Sequence, residues 1–267
     1  MKIIISPAKS FKKNKGFETD ELIFPGKTKI LVEKFQKYTM NEIGNLNRTN
    51  DKLTEKAYYD YQEFDFDHLE NPAIFAYDGL VFKQFKPSDF DDIDYLNNHL
   101  YIISALYGLL KPLTGISDYR LYFDNDDINL YEFWDKDIYN TLFHDDDMII
   151  NLASKEYTKT IRPFLKEGDR FVTIDFKDFR NGKLKSVVAW MKQMRGLMVK
   201  EIITNKIEDL EDIKNIAING YIFDPGLSKE DNLVFVRNHQ WDFCIYQTYT
   251  WGKTLGIIPL LRTKSIA

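Results

Sequence analysis

The chain has 267 residues, a length that suits one large domain with elaborations better than two domains. Its 44% hydrophobic and 15% aromatic content provides ample apolar surface for a core, which excludes an intrinsically disordered chain. The net charge of −5 argues against a general affinity of the whole surface for nucleic acid.

Cysteine content and hydropathy indicate the cellular compartment of the protein. The single cysteine, Cys244, excludes an intramolecular disulfide and a thiolate cluster for zinc or iron–sulfur within one chain. The opening residues MKIIISPAKS hold too short an apolar patch for a signal peptide, and no later stretch approaches the ~18 uncharged apolar residues of a membrane span. We therefore expect a cytoplasmic protein with no membrane partner.

The charges are unevenly distributed along the chain. Residues 60–147 carry 20 acidic and 5 basic side chains, whereas residues 159–200 carry 11 basic and 4 acidic ones. Residues 1–17 add five lysines and no acidic residue. If the N-terminal segment and residues 159–200 meet in space, one face of the protein is basic and the opposite side is acidic.

The first quarter of the chain predicts one strand followed by helices. Residues 2–5 are a short β-branched run that Ser6-Pro7 ends, which indicates an edge or first strand followed by a loop. Apolar spacing and capping residues, Asn41 for the second helix, predict helices over residues 28–36, 41–47 and 50–61.

The remaining elements mix strands and helices without a repeat. We predict strands over residues 73–77, 100–103, 148–152, 171–176, 220–224 and 233–237. We predict helices over residues 88–98, 131–143 and 190–205, and Asn181-Gly182 predicts a hairpin. Irregular alternation favours an α+β fold, with a mixed sheet and surrounding helices, over a doubly wound fold. We expect a single large domain over residues 1–237 and a C-terminal appendage over residues 238–267.

A turn is predicted near the middle of the chain, in the segment SALYGLLKPLTGISDYRL at 104–121. Gly108 tolerates φ > 0, and Lys111 and Arg120 flank the turn, with Tyr107 nearby. Backbone N–H groups pointing outward from such a turn can hold a phosphate. The alternative is that its leucines belong to the core and Gly108 is only a tight corner.

Standard catalytic and metal-binding motifs are absent from the sequence. The four histidines are dispersed, and none belongs to a metal-ligand motif. The run His144-Asp145-Asp146-Asp147 is better explained as an acidic loop before a strand than as a metal site. The sequence contains no P-loop, GxGxxG, GxSxG elbow or cysteine nucleophile with a neighbouring base. We predict no metal site and no cofactor.

Basic side chains attached to small turns remain as candidates for a binding site. An extended polyanion is the economical ligand for them, because phosphate contacts are additive and need no base-reading geometry. A polyanion such as DNA is therefore the predicted partner. The candidate DNA-binding residues are Lys9, Lys52, Tyr107, Gly108, Lys111, Arg120, Lys183, Lys185, Lys192 and Arg195.

Several motifs, in order along the chain, carry a resemblance to a known family. They are ISPAKS at 5–10, NDKL at 50–53, LYGLLKPL at 106–113, YRL at 119–121, FW at 133–134, INLASKEY at 150–157, NGKLK at 181–185, KQMRGLM at 192–198, GYIFD at 220–224 and LVFVR at 233–237. Over nearly all of residues 1–237 the chain resembles the YaaA peroxide-stress resistance proteins of bacteria. The residues after Arg237 have no recognised counterpart there.

The resemblance implies an α+β fold peculiar to that family, a positively charged cleft and a helix-hairpin-helix-like element. It also implies binding to duplex and distorted DNA, and protection from hydrogen peroxide with lower free intracellular iron. Two segments compete for the helix-hairpin-helix-like element. One is the turn at Leu106–Leu110, where Leu110 replaces the second glycine common in DNA-binding hairpins, and the other is the helical pair around Ile43–Leu53.

A second hypothesis, from a different class, is an enzyme acting on a phosphorylated or nucleotide-like substrate in the same basic cleft. Lysine near other cations can have a depressed pKa and act as a base or nucleophile. A deep closed pocket favours this enzyme, whereas an open basic groove favours DNA. The residues expected to converge are Ser6, Lys9, Asp78, Tyr107 and Arg195.

The sequence does not support direct iron binding as the basis of the role in iron control that the resemblance implies. One cysteine and dispersed histidines cannot supply the usual soft or imidazole ligands, and acidic runs over residues 89–94 and 145–147 would hold Fe²⁺ only weakly. We therefore expect any effect on iron to be indirect.

Overall fold

The computed structural model describes residues 1–14, 17–125, 127–145, 148–180 and 182–238. The appendage expected over residues 238–267 lies outside the described residues, apart from the backbone of Asn238. Among the described residues, no helix is both long enough and apolar enough to cross a membrane.

The secondary structure mixes helices and strands along the whole described chain. The α-helices are α1 (Pro25–Gln36), α2 (Met40–Asn47), α3 (Asp51–Gln62), α4 (Ala73–Ala76), α5 (Ile93–His99), α6 (Leu130–Trp134), α7 (Asp137–Leu142), α8 (Lys155–Thr158), α9 (Val188–Thr204) and α10 (Leu210–Lys214). The strands are β1 (Lys2–Ile5), β2 (Asn71–Pro72), β3 (Leu100–Ser104), β4 (Gly108–Leu110), β5 (Gly115–Ile116), β6 (Met148–Asn151), β7 (Arg170–Arg180), β8 (Lys183–Lys185), β9 (Ile222–Phe223) and β10 (Asn232–Asn238).

The described strands form an eight-stranded mixed sheet in the order β4-β3-β1-β6-β7-β10-β9, with β8 paired to β7. Neighbours from β3 to β10 in this order run parallel, whereas β4, β8 and β9 pair antiparallel. β2 and β5 form a separate two-stranded ladder. The helices surround the main sheet in a single α+β domain, which confirms the predicted fold class.

β1 lies in the interior of the sheet. Ile3 pairs with Leu100 of β3 on one side and with Ile150 of β6 on the other. Ile3, Ile4 and Ile5 are completely buried. A strand covered on both faces has an unbroken apolar sequence, which is why the run was recognisable as a strand but its position in the sheet was not.

The three helices predicted before residue 62 are confirmed, with one change of cap. α2 is capped by Thr39 instead of Asn41: Thr39 Oγ1 accepts from Glu42 N (3.3 Å), and the Glu42 carboxylate accepts from Thr39 N (2.7 Å). This reciprocal pair satisfies two N–H groups that the helix itself leaves unbonded. α3 starts as predicted after Asn50, whose side chain accepts from Leu53 N.

The strand predicted over residues 73–77 is wrong, because Ala73–Ala76 form the single turn α4. The segment is apolar at every position and fully buried, so its pattern does not separate a strand from a buried helical turn. The N–H groups of Ala73 and Ile74 donate to the carbonyls of Thr114 and Pro112, at 2.9 and 3.0 Å. These bonds tie α4 to the segment that follows β4.

Two predicted helices are interrupted. The helix expected over residues 88–98 divides into the 3₁₀ turn Pro87–Asp89 and α5, which begins after the capping residue Asp92. The helix expected over residues 131–143 divides into α6 and α7 at Asp135, whose φ of 42° is incompatible with a continuous right-handed helix.

The central turn belongs to a β-hairpin. β3 and β4 are antiparallel, with Ser104 opposite Gly108, so the assignment of a helix-hairpin-helix-like element to Leu106–Leu110 is wrong. Leu106, Leu109 and Leu110 are completely buried, which confirms the alternative that these leucines belong to the core. A pair of helices joined by a short turn occurs instead at α2 and α3.

Gly108→Ala and Gly182→Ala form a matched pair, because both glycines have φ of +72°. A Cβ at Gly108 would lie 2.6 Å from Trp134 Cζ3 and 2.9 Å from Phe24 Cδ2, whereas a Cβ at Gly182 would meet no described atom within 4 Å. We expect Gly182→Ala to lower the free energy of unfolding by about 1–2 kcal/mol through backbone strain alone. Gly108→Ala should lower it by about 1–3 kcal/mol more, because the indole must shift. Urea unfolding followed by circular dichroism measures both, and equal losses would contradict the steric argument.

Candidate functional site

The loops that leave the parallel strands β1 and β6 meet at one edge of the sheet. Ser6 follows β1, and its Oγ accepts a hydrogen bond from Ser154 N (2.8 Å), at the start of α8. At the end of β6, Asn151 Oδ1 accepts from Ala153 N (2.8 Å), and Asn151 Nδ2 donates to Thr173 Oγ1 (3.1 Å). These bonds fix the two loops to each other and to β7.

A second loop holds the backbone around Lys9. Asp78 N donates to Ser10 O (2.8 Å), and Ser10 Oγ donates to Asp78 O (2.7 Å). Gly79 permits this approach, because a Cβ there would lie 2.7 Å from Ala8 Cβ. The backbone of Lys9 is therefore held in place while its side chain remains exposed.

The backbone of Arg120 is held by buried phenols. Tyr61 Oη donates to Arg120 O (2.8 Å). The hydroxyl of the preceding Tyr119 is hydrogen-bonded to Ser104 Oγ (2.8 Å) and to Tyr77 Oη (2.9 Å). Burial raises the pKa of Tyr119 to about 12, so this phenol stays neutral at physiological pH. Arg120 thus projects from a rigid support.

Lys9 and Arg120 line the same concave surface, which we name the recess. It has a cavity volume of about 320 Å³ and lies between the loop after β1, the turn between α2 and α3, and the segment before α6. Its charged and aromatic lining residues are Lys9, Arg48, Arg120, Tyr122, Asp124 and Glu156. Leu46, Asn47 and Thr49 complete it.

Cations and an aromatic ring are combined in the recess. Lys9 Nζ lies 4.3 Å from the centroid of the Tyr122 ring, and Arg120 Cζ lies 5.8 Å from it, both within cation–π range. Arg120 Nε is buried and has no hydrogen-bond partner among the described residues. A buried cationic donor without an acceptor favours an incoming anion.

The two carboxylates of the recess differ in their environment. Asp124 lies 3.3 Å from Lys159 Nζ and accepts from Tyr131 Oη. Burial raises the pKa of Glu156 above the usual glutamate range, although its carboxylate accepts from Phe123 N (3.2 Å) and Lys9 partly opposes the shift. Glu156 can therefore take up a proton at a higher pH than an exposed glutamate.

The other predicted basic residues lie outside the recess. Lys52 is exposed in the first turn of α3, next to the turn that borders the recess. Lys183 and Lys185 are exposed on β8, which extends the hairpin from β7. Lys192 is exposed on α9, and burial lowers the pKa of Arg195 on the same helix, with Asp175 opposing the change.

Three predicted residues around the central turn have other surroundings. Tyr107 is completely buried, and its hydroxyl donates to Ser117 O and accepts from Ser117 N, both at 3.0 Å. Gly108 is buried against Trp134. Lys111 follows β4, which runs antiparallel to β3 and carries the chain away from the edge where Ser104 ends.

Of the residues proposed to converge in an enzyme pocket, only Lys9 lines the recess. The Ser6 hydroxyl is hydrogen-bonded to Ser154, Tyr107 is buried, and the Asp78 carboxylate lies 3.7 Å from Lys83 Nζ. Arg195 lies on α9. The recess is also open at the surface rather than a deep closed pocket, since Lys9, Arg48 and Asp124 remain exposed.

Sequence reasoning missed several residues of the recess as site candidates. Asn47 ends α2, Arg48 follows it two residues before NDKL, and Glu156 lies inside INLASKEY, so each is close to a motif that was recognised. Tyr122 follows YRL by one residue. Proximity to these motifs was an available signal, but the convergence of their segments depends on the folded sheet.

A larger cavity, of about 540 Å³, is lined by none of the predicted DNA-binding residues. Its carboxylates outnumber its basic side chains, and Lys56 Nζ lies 2.8 Å from both Asp60 and Asp118. Burial raises the pKa of Asp60, and Lys56 opposes the change. Its acidic lining suits an anionic ligand less well than the recess does.

No group of three or more histidine, cysteine or carboxylate side chains in the described part of the chain could hold a metal ion. Within the acidic run 89–94, Asp89 lies 2.8 Å from Lys200 Nζ and Asp92 lies 2.6 Å from Lys206 Nζ. These carboxylates connect the region before α5 to the end of α9.

The chain is an α+β protein with a surface recess beside the ends of its parallel strands, lined by three basic and two acidic side chains. A family model described as peroxide stress protein YaaA matches residues 1–227. The chain therefore belongs to the YaaA peroxide stress protein family.

Full-length relatives support this membership. A UPF0246 protein of Ligilactobacillus salivarius is 37% identical over 247 residues, covering 89% of this chain and 100% of the relative. UPF0246 proteins of Clostridioides difficile and Clostridium botulinum are 35% and 37% identical, covering 89% and 88% of this chain and 100% and 98% of the relatives.

The environment of Glu156 yields a titration test. Because Lys9 holds the pKa of Glu156 below the value that burial alone would give, Lys9→Gln should raise that pKa further. Lys183→Gln, on the exposed β8 hairpin, should leave it unchanged. Carboxyl carbon NMR titration measures the pKa in each variant, and Glu156→Gln assigns the signal. An unchanged pKa in Lys9→Gln would contradict the electrostatic effect of Lys9 on Glu156.

Glu156 also affects stability in a defined direction. A glutamate whose pKa is higher in the folded than in the unfolded state favours folding below the unfolded pKa, and this contribution is lost as pH rises through the folded pKa. Wild type should therefore lose stability relative to Glu156→Gln as pH rises through that range. Urea unfolding of both proteins at several pH values measures the difference.

Proposed function

We propose that this peroxide stress family protein binds duplex or distorted DNA through the recess and the basic residues around it. The observation that carries the proposal is the buried, unpaired Nε of Arg120 in a recess that also contains Lys9 and Arg48. A phosphate oxygen would satisfy this donor, and a buried donor left unpaired costs about 1–3 kcal/mol. Contacts of this kind position a nucleic acid backbone without reading its sequence.

The α2–α3 pair is our candidate for the helix-hairpin-helix-like element. Its connecting turn, Arg48-Thr49-Asn50, contributes Arg48 and Thr49 to the recess. Asn50 caps Leu53 N, and the other N–H groups at the start of α3 have no partner within the helix. A phosphate next to Lys52 could accept hydrogen bonds from them.

The remaining basic residues are proposed as flanking contacts. Lys183, Lys185 and Lys192 are exposed, and Arg195 is partly buried on the same helix as Lys192. Lys111 is proposed as a peripheral contact. Tyr107 and Gly108 are buried, so we propose that they act by shaping the turn that precedes Arg120.

Salt dependence tests the DNA proposal. For duplex DNA, Lys9→Gln and Arg120→Gln should each reduce the slope of log K against log[salt] by ~0.9 and weaken binding similarly for unrelated sequences. Lys29→Gln is the control, because Lys29 lies on α1, outside the recess, 3.8 Å from Glu33. Fluorescence anisotropy at a series of salt concentrations measures the slopes. Salt-independent binding, or identical slopes in all variants, would rule out a phosphate-binding recess.

An enzyme acting on a phosphorylated or nucleotide-like substrate is the second candidate. It is favoured by Glu156, because burial raises the pKa of this carboxyl group above the usual glutamate range, and such a group can act as a general acid or base. In this version Lys9 and Glu156 are the proposed reactive groups.

We further propose that the protein limits oxidative damage linked to free iron indirectly, through DNA or through such a reaction. Anaerobic calorimetry with Fe²⁺ in excess Mg²⁺ should show no stoichiometric binding, because oxygen ligands discriminate poorly among hard divalent ions. A DNA-binding assay on the same sample is the control for active protein. Sub-micromolar Fe²⁺ binding that survives Mg²⁺ would make sequestration the primary role instead.

A further inference from the structure

Two buried polar atoms of the recess have complementary hydrogen-bonding needs. Arg120 Nε–H is a donor without an acceptor, and Asn47 Oδ1 is an acceptor without a donor, among the described residues. Asn47 is only 2% exposed, and its Nδ2 already donates to Ile43 O (3.2 Å). Buried unpaired atoms are rare in folded proteins, and one ligand with an acceptor at one end and a donor at the other would satisfy both.

The size and the aromatic wall of the recess limit the class of ligand. Its volume of about 320 Å³ lies at the lower end of the ~300–1,000 Å³ typical of small-molecule sites, which suits one compact ligand better than a length of strand. Tyr122 provides a ring against which a planar heterocycle can stack. An anionic acceptor, a planar ring and an N–H donor occur together in a nucleotide.

Lys9 is the side chain best placed to admit the ligand. It is exposed, and its ammonium lies over Tyr122 without a salt bridge to any described residue. Arg120 Nε and Asn47 Oδ1 are out of contact with solvent, so a wall side chain must move before a ligand reaches them. Moving the Lys9 ammonium from the ring to a phosphate would expose the ring and add a second cation to the anion.

We propose that the recess binds a single nucleotide whose base carries an exocyclic amine, with its phosphate on Arg120 and Lys9, its base against Tyr122 and its amine donating to Asn47 Oδ1. This inference rests on the proposed function, because it specifies the ligand chemistry of the same recess. The nucleotide can be free in solution or displaced from a DNA strand. Extruding an unpaired nucleotide costs less than breaking a base pair.

Deoxyadenosine monophosphate and deoxynebularine monophosphate, which differ only in the 6-amino group, test the amine contact. Calorimetry on the full chain should show that the amine-bearing nucleotide binds about tenfold tighter, the ratio expected for one buried hydrogen bond. Deoxyribose 5-phosphate, which has no base to stack on Tyr122, should bind more weakly than either nucleotide. Equal affinities of the two free nucleotides would exclude a free nucleotide as the ligand, and tightest binding of the sugar phosphate would overturn the inference.

Two variants test the contacts at the two ends of the ligand one at a time. Asn47→Leu keeps the side-chain size and removes the acceptor, so the two nucleotides should bind equally. Arg120→Lys keeps the charge and removes the Nε donor, so both nucleotides should weaken by the same factor while their ratio persists. The second variant keeps the test valid if Asn47→Leu fails to fold, because a ratio lost in Arg120→Lys would contradict separate subsites.

Duplexes distinguish the source of the nucleotide and separate this inference from the DNA proposal. The arms are a fully paired duplex and duplexes with one unpaired deoxyadenosine or deoxynebularine. An amine preference seen only in the bulged duplexes supports a displaced nucleotide, and one seen with free nucleotides supports a small-molecule ligand.

Salt-dependent DNA binding with no amine preference in any arm overturns the inference and leaves DNA binding intact. Amine preference for free nucleotides without DNA binding overturns the DNA proposal alone.

Discussion

The parallel pairing of β1 with both β3 and β6 is the constraint on which the site depends. Three consecutive isoleucines of β1 are completely buried, and their register aligns the ends of the three strands. A slip of one residue would turn every side chain of β1 to the opposite face of the sheet, so burial specifies the register strongly. The loop that carries Lys9 and helix α8, which carries Glu156, then meet without any direct sequence signal that pairs them.

The recess contains buried polar atoms that lack hydrogen-bond partners among the described residues. It places Arg48, Lys9 and Arg120 near one another and leaves a donor and an acceptor unpaired. Glu156 offsets part of this positive charge, at the cost of its own desolvation. Unpaired buried groups lower stability. The larger cavity differs from the recess in this respect, because its Lys56 is paired with two carboxylates.

Much of the framework could be predicted from local patterns. β1, β3 and β6 are apolar runs bounded by polar residues, and α3 has its cap directly before it, so each carries its own signal. α4 could not be predicted, because four buried apolar residues have no period that separates one helical turn from a strand. The division of the helix at Asp135 also depends on a backbone conformation that the apolar spacing does not encode.

The site was predictable only in part, for a different reason. Lys9 and Arg120 were found because each basic residue lies in a small turn next to a distinctive motif. Asn47 was missed because an asparagine at the end of a helix is a common capping residue. Only its burial and its position in the same recess as Arg120 distinguish it from an ordinary cap. Tyr122 and Glu156 were missed because their surroundings come from segments far apart in the chain.

The hydrogen bonds around Arg120 have a consequence for binding entropy. Because the Tyr61 hydroxyl holds the Arg120 carbonyl and Tyr119 is fixed by Ser104 and Tyr77, this part of the wall has little conformational freedom to lose when a ligand arrives. The entropy cost of ordering then falls mainly on the exposed side chain of Lys9, and it is about 0.5–1.5 kcal/mol for one immobilised side chain. In the proposed complex, a preorganised anion contact would therefore be combined with one exposed side chain that becomes ordered on binding, and ligand exchange would need no rearrangement of the fold.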